Sequence, residues 1–169
     1  MLITYWYDIE KLLLNIGVIS DYKTNTLVEK QGGEPRMLPS VAVQDNSIAV
    51  KLLNDASAEI FLLMSGYAKD VVDENDDALE PYSFDVAYDD ITRAIVYNFN
   101  FPDTFNDKII GGIERAIKSA IENYVLSRYN QIAGLDFQLY ERNFEREKDR
   151  ILLYINRRTE TVKRAYKLF

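Results

Sequence analysis

The chain has 169 residues and a formal net charge of −7, with 47% hydrophobic and 28% charged residues, the profile of an ordinary folded domain long enough to bury a core. It contains no Cys and no His, which excludes disulfides, thiolate nucleophiles, Cys- or His-ligated zinc and every catalytic triad or proton shuttle built on imidazole. Any chemistry would rest on carboxylates, Lys or Tyr, and the expectation is a protein without catalytic residues, metal or cofactor.

The opening MLITYWYDIEKLLLNIG is interrupted by Asp8, Glu10 and Lys11, so it lacks the apolar core of a signal peptide. No apolar run approaches the roughly 18 residues of a spanning helix, which predicts a protein kept in the cytosol, or in a particle assembled there, without membrane contact. Within residues 3–16, Ile9, Leu12, Leu13 and Ile16 recur at helical spacing, predicting a short amphipathic helix ended by Gly17. From Val18 to Val43 the periodicity fails. Asn25, Gly32, Gly33, Pro35 and Pro39 punctuate that stretch, which predicts a long loop or β excursion of the kind that binds or orders on a partner.

A second helix is predicted after a cap at Asp45, Asn46 or Ser47, with Ala49, Leu52, Leu53, Ala56, Ile60, Leu63, Met64 and Tyr67 on its buried face. Residues 69–90 read as an acidic linker. Next, Ile95, Tyr97, Phe99 and Phe101 alternate with Val96, Asn98 and Asn100, a strand pattern spanning Ile91–Phe101 and closed by Pro102. A long helix is expected from Asp103 or Thr104 to about Gln131, its stripe formed by Ile109, Ile110, Ile113, Ile117, Ala120, Ile121, Tyr124 and Val125. The pair Gly111–Gly112 would bend it or admit another backbone.

Gly134 breaks the chain, and a last helix over Leu135–Asn156 directs Phe137, Tyr140, Phe144, Ile151, Leu152 and Ile155 inward. Its charges, from Glu141, Arg142 and Glu145 through Arg146, Glu147, Lys148, Asp149 and Arg150, read as a solvated mixed-sign face. The predicted fold class is therefore mainly α with a small β element. A long antiparallel helical hairpin and N-terminal helices form one domain over residues 1–156, followed by an extended basic arm, 157–169.

Charge is segregated along the chain. The last 13 residues carry Arg157, Arg158, Lys163, Arg164 and Lys167 against Glu160, whereas residues 70–90 hold Asp70, Asp73, Glu74, Asp76, Asp77, Glu80, Asp85, Asp89 and Asp90 without one Lys or Arg. Unlike patches on one chain can meet head to tail between copies and close into a ring. The acidic run is not an EF-hand, since counting from Asp73 places Ala78 and Phe84 where Gly and a bidentate Glu are required. Gly32–Gly33 lacks the surrounding pattern of a phosphate loop. The carboxylate pairs Glu114/Glu122 and Glu141/Glu145 fall on helices, where such pairs are solvated by default rather than set up as a glycosidase acid and nucleophile.

Four readings of the tail stay open: a disordered segment, nucleic-acid contact through cations interleaved with Tyr166 and Phe169, a membrane-surface segment, and an edge strand. The last rests on Val162, Arg164, Tyr166 and Leu168 alternating with Lys163, Ala165 and Lys167.

The helix, acidic linker, strand IVYNFNFP, helical hairpin and ending NRRTETVKRAYKLF together resemble small virion proteins of tailed bacteriophages, in particular head-to-tail connector or neck-ring adaptors. The resemblance spans approximately Asp45 to Phe169 and is one of pattern, without an invariant motif. It implies a structural virion protein found at the neck, and in the host cytoplasm during assembly, forming a ring of about a dozen copies by heterologous contacts. Portal and other neck or tail proteins would be its partners, and non-specific DNA contact in the channel belongs to the same expectation. On this reading Arg157, Arg158, Lys163, Arg164, Tyr166, Lys167 and Phe169 grip a neighbour whose Asp73, Glu74, Asp76 and Asp77 receive them. A tail-completion or tail-terminator protein, or a non-viral nucleic-acid-binding or interaction module, is the alternative.

Overall fold

The computed structural model describes residues 1–31, 47–73, 75–87, 93–102, 105 and 107–156. Strand β1 (Leu2–Asp8) leads directly into helix α1 (Ile9–Gln31); helix α2 (Ser47–Met64), strands β2 (Tyr82–Ala87) and β3 (Arg93–Asn100), and helices α3 (Ile110–Ile132) and α4 (Gln138–Asn156) follow. The fold is mostly helical with a small β element, as the sequence predicts, and among the described residues that element is a three-stranded antiparallel sheet of which only the β3 strand was expected.

β3 lies at the centre of the sheet, in the order β1-β3-β2. The register sets Ile3 beside Phe99, Tyr5 beside Tyr97 and Tyr7 beside Ile95, and on the other side Tyr82 beside Tyr97 and Phe84 beside Ile95. These residues share one face because side chains alternate along a strand. Their rings stack or meet edge-on, as in Tyr97–Phe99 at 5.9 Å, Tyr82–Tyr97 at 5.5 Å and Tyr7–Tyr97 at 6.1 Å. Such pairs add about 0.5–1.5 kcal/mol beyond their area.

Helices α2 and α3 cover that face, and tyrosine hydroxyls fasten them to it. Tyr97 donates to the Ser57 carbonyl at 3.1 Å, Tyr7 to the Glu114 carbonyl at 2.9 Å, and the Tyr82 hydroxyl lies 2.7 Å from the Ser57 hydroxyl while donating to Asn54 at 3.1 Å. Burial pushes the Tyr7 and Tyr97 phenols far up, so both stay neutral donors. Tyr5, equally buried and likewise pushed up by burial, has no hydrogen-bond partner for its hydroxyl among the described residues.

The N-terminal prediction needs correction. Ile3, Tyr5 and Tyr7 are buried at period two, so residues 2–8 are a strand rather than the first turns of a helix. Asp8 ends that strand and caps the helix, its Oδ1 accepting from the Lys11 N–H at 3.0 Å. Helix α1 then passes through Gly17 and continues to Gln31, so 18–31 is helix rather than loop. Burial of Ile9, Leu12, Leu13 and Ile16 offsets the roughly 1 kcal/mol that a glycine costs inside a helix. The rest of the predicted excursion, 32–43, lies outside the described residues.

α2 starts at Ser47, within the expected cap region, and ends at Met64, Tyr67 falling in a 3-10 turn over Ser65–Tyr67; Asp45 and Asn46 lie outside the described residues. The stretch 69–90 is not a linker throughout, because β2 forms within it. α3 begins at Ile110 after a 3-10 turn over Asp107–Ile109, several residues later than expected, and the proposed caps Asp103 and Thr104 are outside the described residues. Gly111–Gly112 therefore falls in the helix's first turn, and the group that approaches closely is a ring: a methyl on Gly112 would stand 3.1 Å from Tyr154.

Between α3 and α4 the chain turns at Gly134, whose φ of 71° suits glycine. The Leu135 N–H reaches the Asn130 carbonyl and the Gly134 N–H the Gln131 carbonyl, the pair of bonds of a Schellman motif. Asp136 then caps α4 by accepting from the Gln138 N–H at 3.1 Å. Helices of 23 and 19 residues give a hairpin about 35 and 29 Å along its two arms. Tyr124 meets Phe144 edge-on at 5.1 Å in its seam.

Candidate interaction surfaces

Asp73, the centre of the predicted receiving surface, builds a turn. Its N–H donates to the Asp77 carbonyl at 2.9 Å, and its Oδ1 accepts from the N–H groups of Asn75 at 2.8 Å and Asp77 at 2.9 Å. Val72 and Ala78 bridge beneath it. The backbone N–H of Asp77, then that of Asn75, holds the Asp73 carboxyl below its ordinary value. Asp76 takes a positive φ of 65°, a conformation that short polar residues tolerate, and with Asp77 stays exposed. Thus Asp73 serves the turn's geometry while Asp76, Asp77 and nearby Glu80 present charge to solvent. Glu74 lies outside the described residues.

All seven predicted arm residues, Arg157, Arg158, Lys163, Arg164, Tyr166, Lys167 and Phe169, also lie outside the described residues, as do Asp89 and Asp90.

On α4 the expected solvated face contains an exception. Glu147 is 2% exposed, and both its oxygens accept from Arg150, at 3.0 and 2.9 Å, with Arg146 at 3.6 Å. Lys148 ties α4 to α2 by donating to Glu59 at 3.0 Å, and also donates to Glu145 at 3.1 Å, its ammonium resting 4.8 Å from the Phe144 ring centre. Leu152 is exposed rather than inward, as are Leu139 and Leu153; on α1, Leu14 and Val18 are exposed one turn apart. α3 packs against both α1 and α4, leaving apolar side chains exposed on both of these helices.

The carboxylate pair Glu114/Glu122 does not converge. Glu114 and Glu122 are eight residues apart on one helix, about 12 Å along its axis, beyond the separations glycosidases use. Glu122 instead accepts from Asn15 at 3.3 Å, across the α1–α3 contact, and burial raises its pKa. Glu141 and Glu145 line one open groove with Phe137, Gln138 and Arg142, where Lys148 donates to Glu145 at 3.1 Å. Among the described residues no three acidic side chains gather as metal ligands, and no helix is long and apolar enough to cross a membrane.

The feature sequence reasoning missed is the outer edge of β2. Among the described residues β2 pairs only with β3, and Tyr82 and Phe84, at the end of the aromatic face, are only half-buried. Their alternation with Ser83 was the available signal, obscured by the surrounding acids. Comparison with protein-family models, curated proteins and solved structures finds no match to this chain.

Proposed function

We propose that this chain is a non-enzymatic structural subunit of a tailed-phage neck, one copy in a ring joining portal to tail, whose cationic C-terminal segment holds a neighbouring copy. The reading rests on the segregation of charge between residues 157–169 and the turn that Asp73 builds, with its exposed Asp76 and Asp77, supported by the sequence resemblance. The turn is held by its own backbone bonds, so an acidic surface of defined shape is present before any partner arrives. Exposed ion pairs contribute less than about 1 kcal/mol each. Affinity therefore comes from burying apolar side chains, with charge setting register and partner choice.

The test is the mass of the purified chain in solution, alone and with candidate neck components, compared with a chain lacking residues 157–169. The truncated chain keeps its helical circular dichroism and cooperative unfolding but loses assembly. A truncated chain that forms the same oligomer refutes the proposal.

A further inference from the structure

We infer that the receiving site for the neighbour's tail is the outer edge of β2, to which residues 162–168 of a second copy add as a fourth strand. This rests on the assembly reading above and names the surface it uses. Three observations select that edge.

First, the sheet has two outer strands, and their inward side chains are in different states. On β1, Ile3, Tyr5 and Tyr7 are 9%, 3% and 5% exposed, so the helices already cover that end of the face. On β2, Tyr82 and Phe84 are only half-buried, Tyr82 stacking on Phe61 at 5.2 Å, although they stand in register with the fully buried Tyr97 and Ile95. The aromatic layer is thus incomplete on this side. An added strand carrying Tyr166 or Leu168 on the same face would shield both rings.

Second, charge distinguishes the edges. β1 carries no acid before Asp8, which Lys11 engages at 3.1 Å. β2 is preceded by exposed Asp76, Asp77 and Glu80, and its one internal acid, Asp85, is held by Arg93. The tail brings Lys163, Arg164 and Lys167 to an edge whose neighbouring acids have no Lys or Arg among them.

Third, the tail alternates, and alternation is what a sheet edge selects. Main-chain bonds supply affinity and every second side chain supplies specificity. The bulge between Phe84 and Val86, with Asp85 at a φ of 61°, ends regular pairing. Bulges and edge charges suppress indiscriminate strand addition, so a matching cationic strand is favoured over arbitrary ones.

The absence of cysteine from the chain makes the test direct. Directly opposed residues of paired strands lie about 4.5–5.5 Å apart at Cα, the separation a disulfide requires. Full-length chains carrying Ser83→Cys or Val86→Cys are mixed with full-length chains carrying single cysteines placed in turn at each position from Val162 to Leu168, then oxidised. Two-chain products are quantified without reductant. The expected result is a yield alternating with a period of two along the tail, several-fold higher at favoured positions than between them. Uniform yield along the tail, or stronger coupling to Asp76→Cys or Leu2→Cys, overturns the inference. The mass of the unoxidised full-length and truncated chains separates the failures. An arm-dependent oligomer without alternating yield removes only the β2 edge, whereas an oligomer independent of the arm removes the assembly reading as well.

Discussion

Gly111 and Gly112 are adjacent in the first turn of α3 yet stand in different surroundings. A methyl group at Gly111 would meet nothing within 4 Å, while one at Gly112 would press on the Tyr154 ring. Replacing a helical glycine by alanine stabilises by about 0.4–1 kcal/mol where the site accepts it. Gly111→Ala is therefore expected to raise the unfolding free energy measured by urea titration by that amount, seen as a higher midpoint at unchanged slope. Gly112→Ala should give no gain or a small loss, because the ring must tilt. Equal stabilisation by both would show that Tyr154 places no constraint on the helix start. The sequence marks the pair as special but cannot name the approaching group, since Tyr154 lies more than forty residues away in another helix. Glu147 repeats the lesson: its burial is set by how α4 docks, and a run of alternating charges reads the same whether one member is covered or none.

Helices α2 and α4 were legible because their apolar stripes are continuous. β1 was not, because strand and helix join without a break and Asp8 serves both; a window spanning the junction shows the helix's period and hides the strand's. β2 was hidden by composition, its Tyr82 and Phe84 lying among acids that read as linker. The α1–α3 contact yields a pH prediction at this scale. Burial raises the Glu122 carboxyl above its ordinary 4.5, opposed by the Asn15 amide and Lys118. A carboxyl whose folded pKa is raised stabilises the fold when protonated, and that contribution is lost as pH rises through the folded value. The ionised group is thus a cost at neutral pH. Glu122→Gln still accepts from Asn15 and removes the charge, so its urea midpoint should exceed that of the parent at pH 7 and the advantage should disappear below pH 4. A midpoint lowered at pH 7 and unchanged at low pH would reverse the sign and assign the ion pair with Lys118 the larger effect.

Across the whole molecule, the class of fold could be read from pattern, whereas the site could be read only as charge segregation, because whether an edge lies open depends on how strands are ordered in space. That order has a further consequence. Leu2 pairs with Asn100 and Asp8 with Ala94, so the first strand finds its partner only after two helices and another strand have been made. Closing so long a loop costs entropy before any contact rewards it, and pairings of high sequence separation are slow. On a ribosome, which delivers the amino end first, Tyr5, Trp6 and Tyr7 emerge long before β3, the strand they pair with. Nascent chains arrested before Arg93 should be cut by chymotrypsin within the first eight residues, and chains released at full length should resist. Protection already present in the shorter chains would mean that α1 and α2 alone can shelter this segment; otherwise β1 is the last strand of the sheet to find its place.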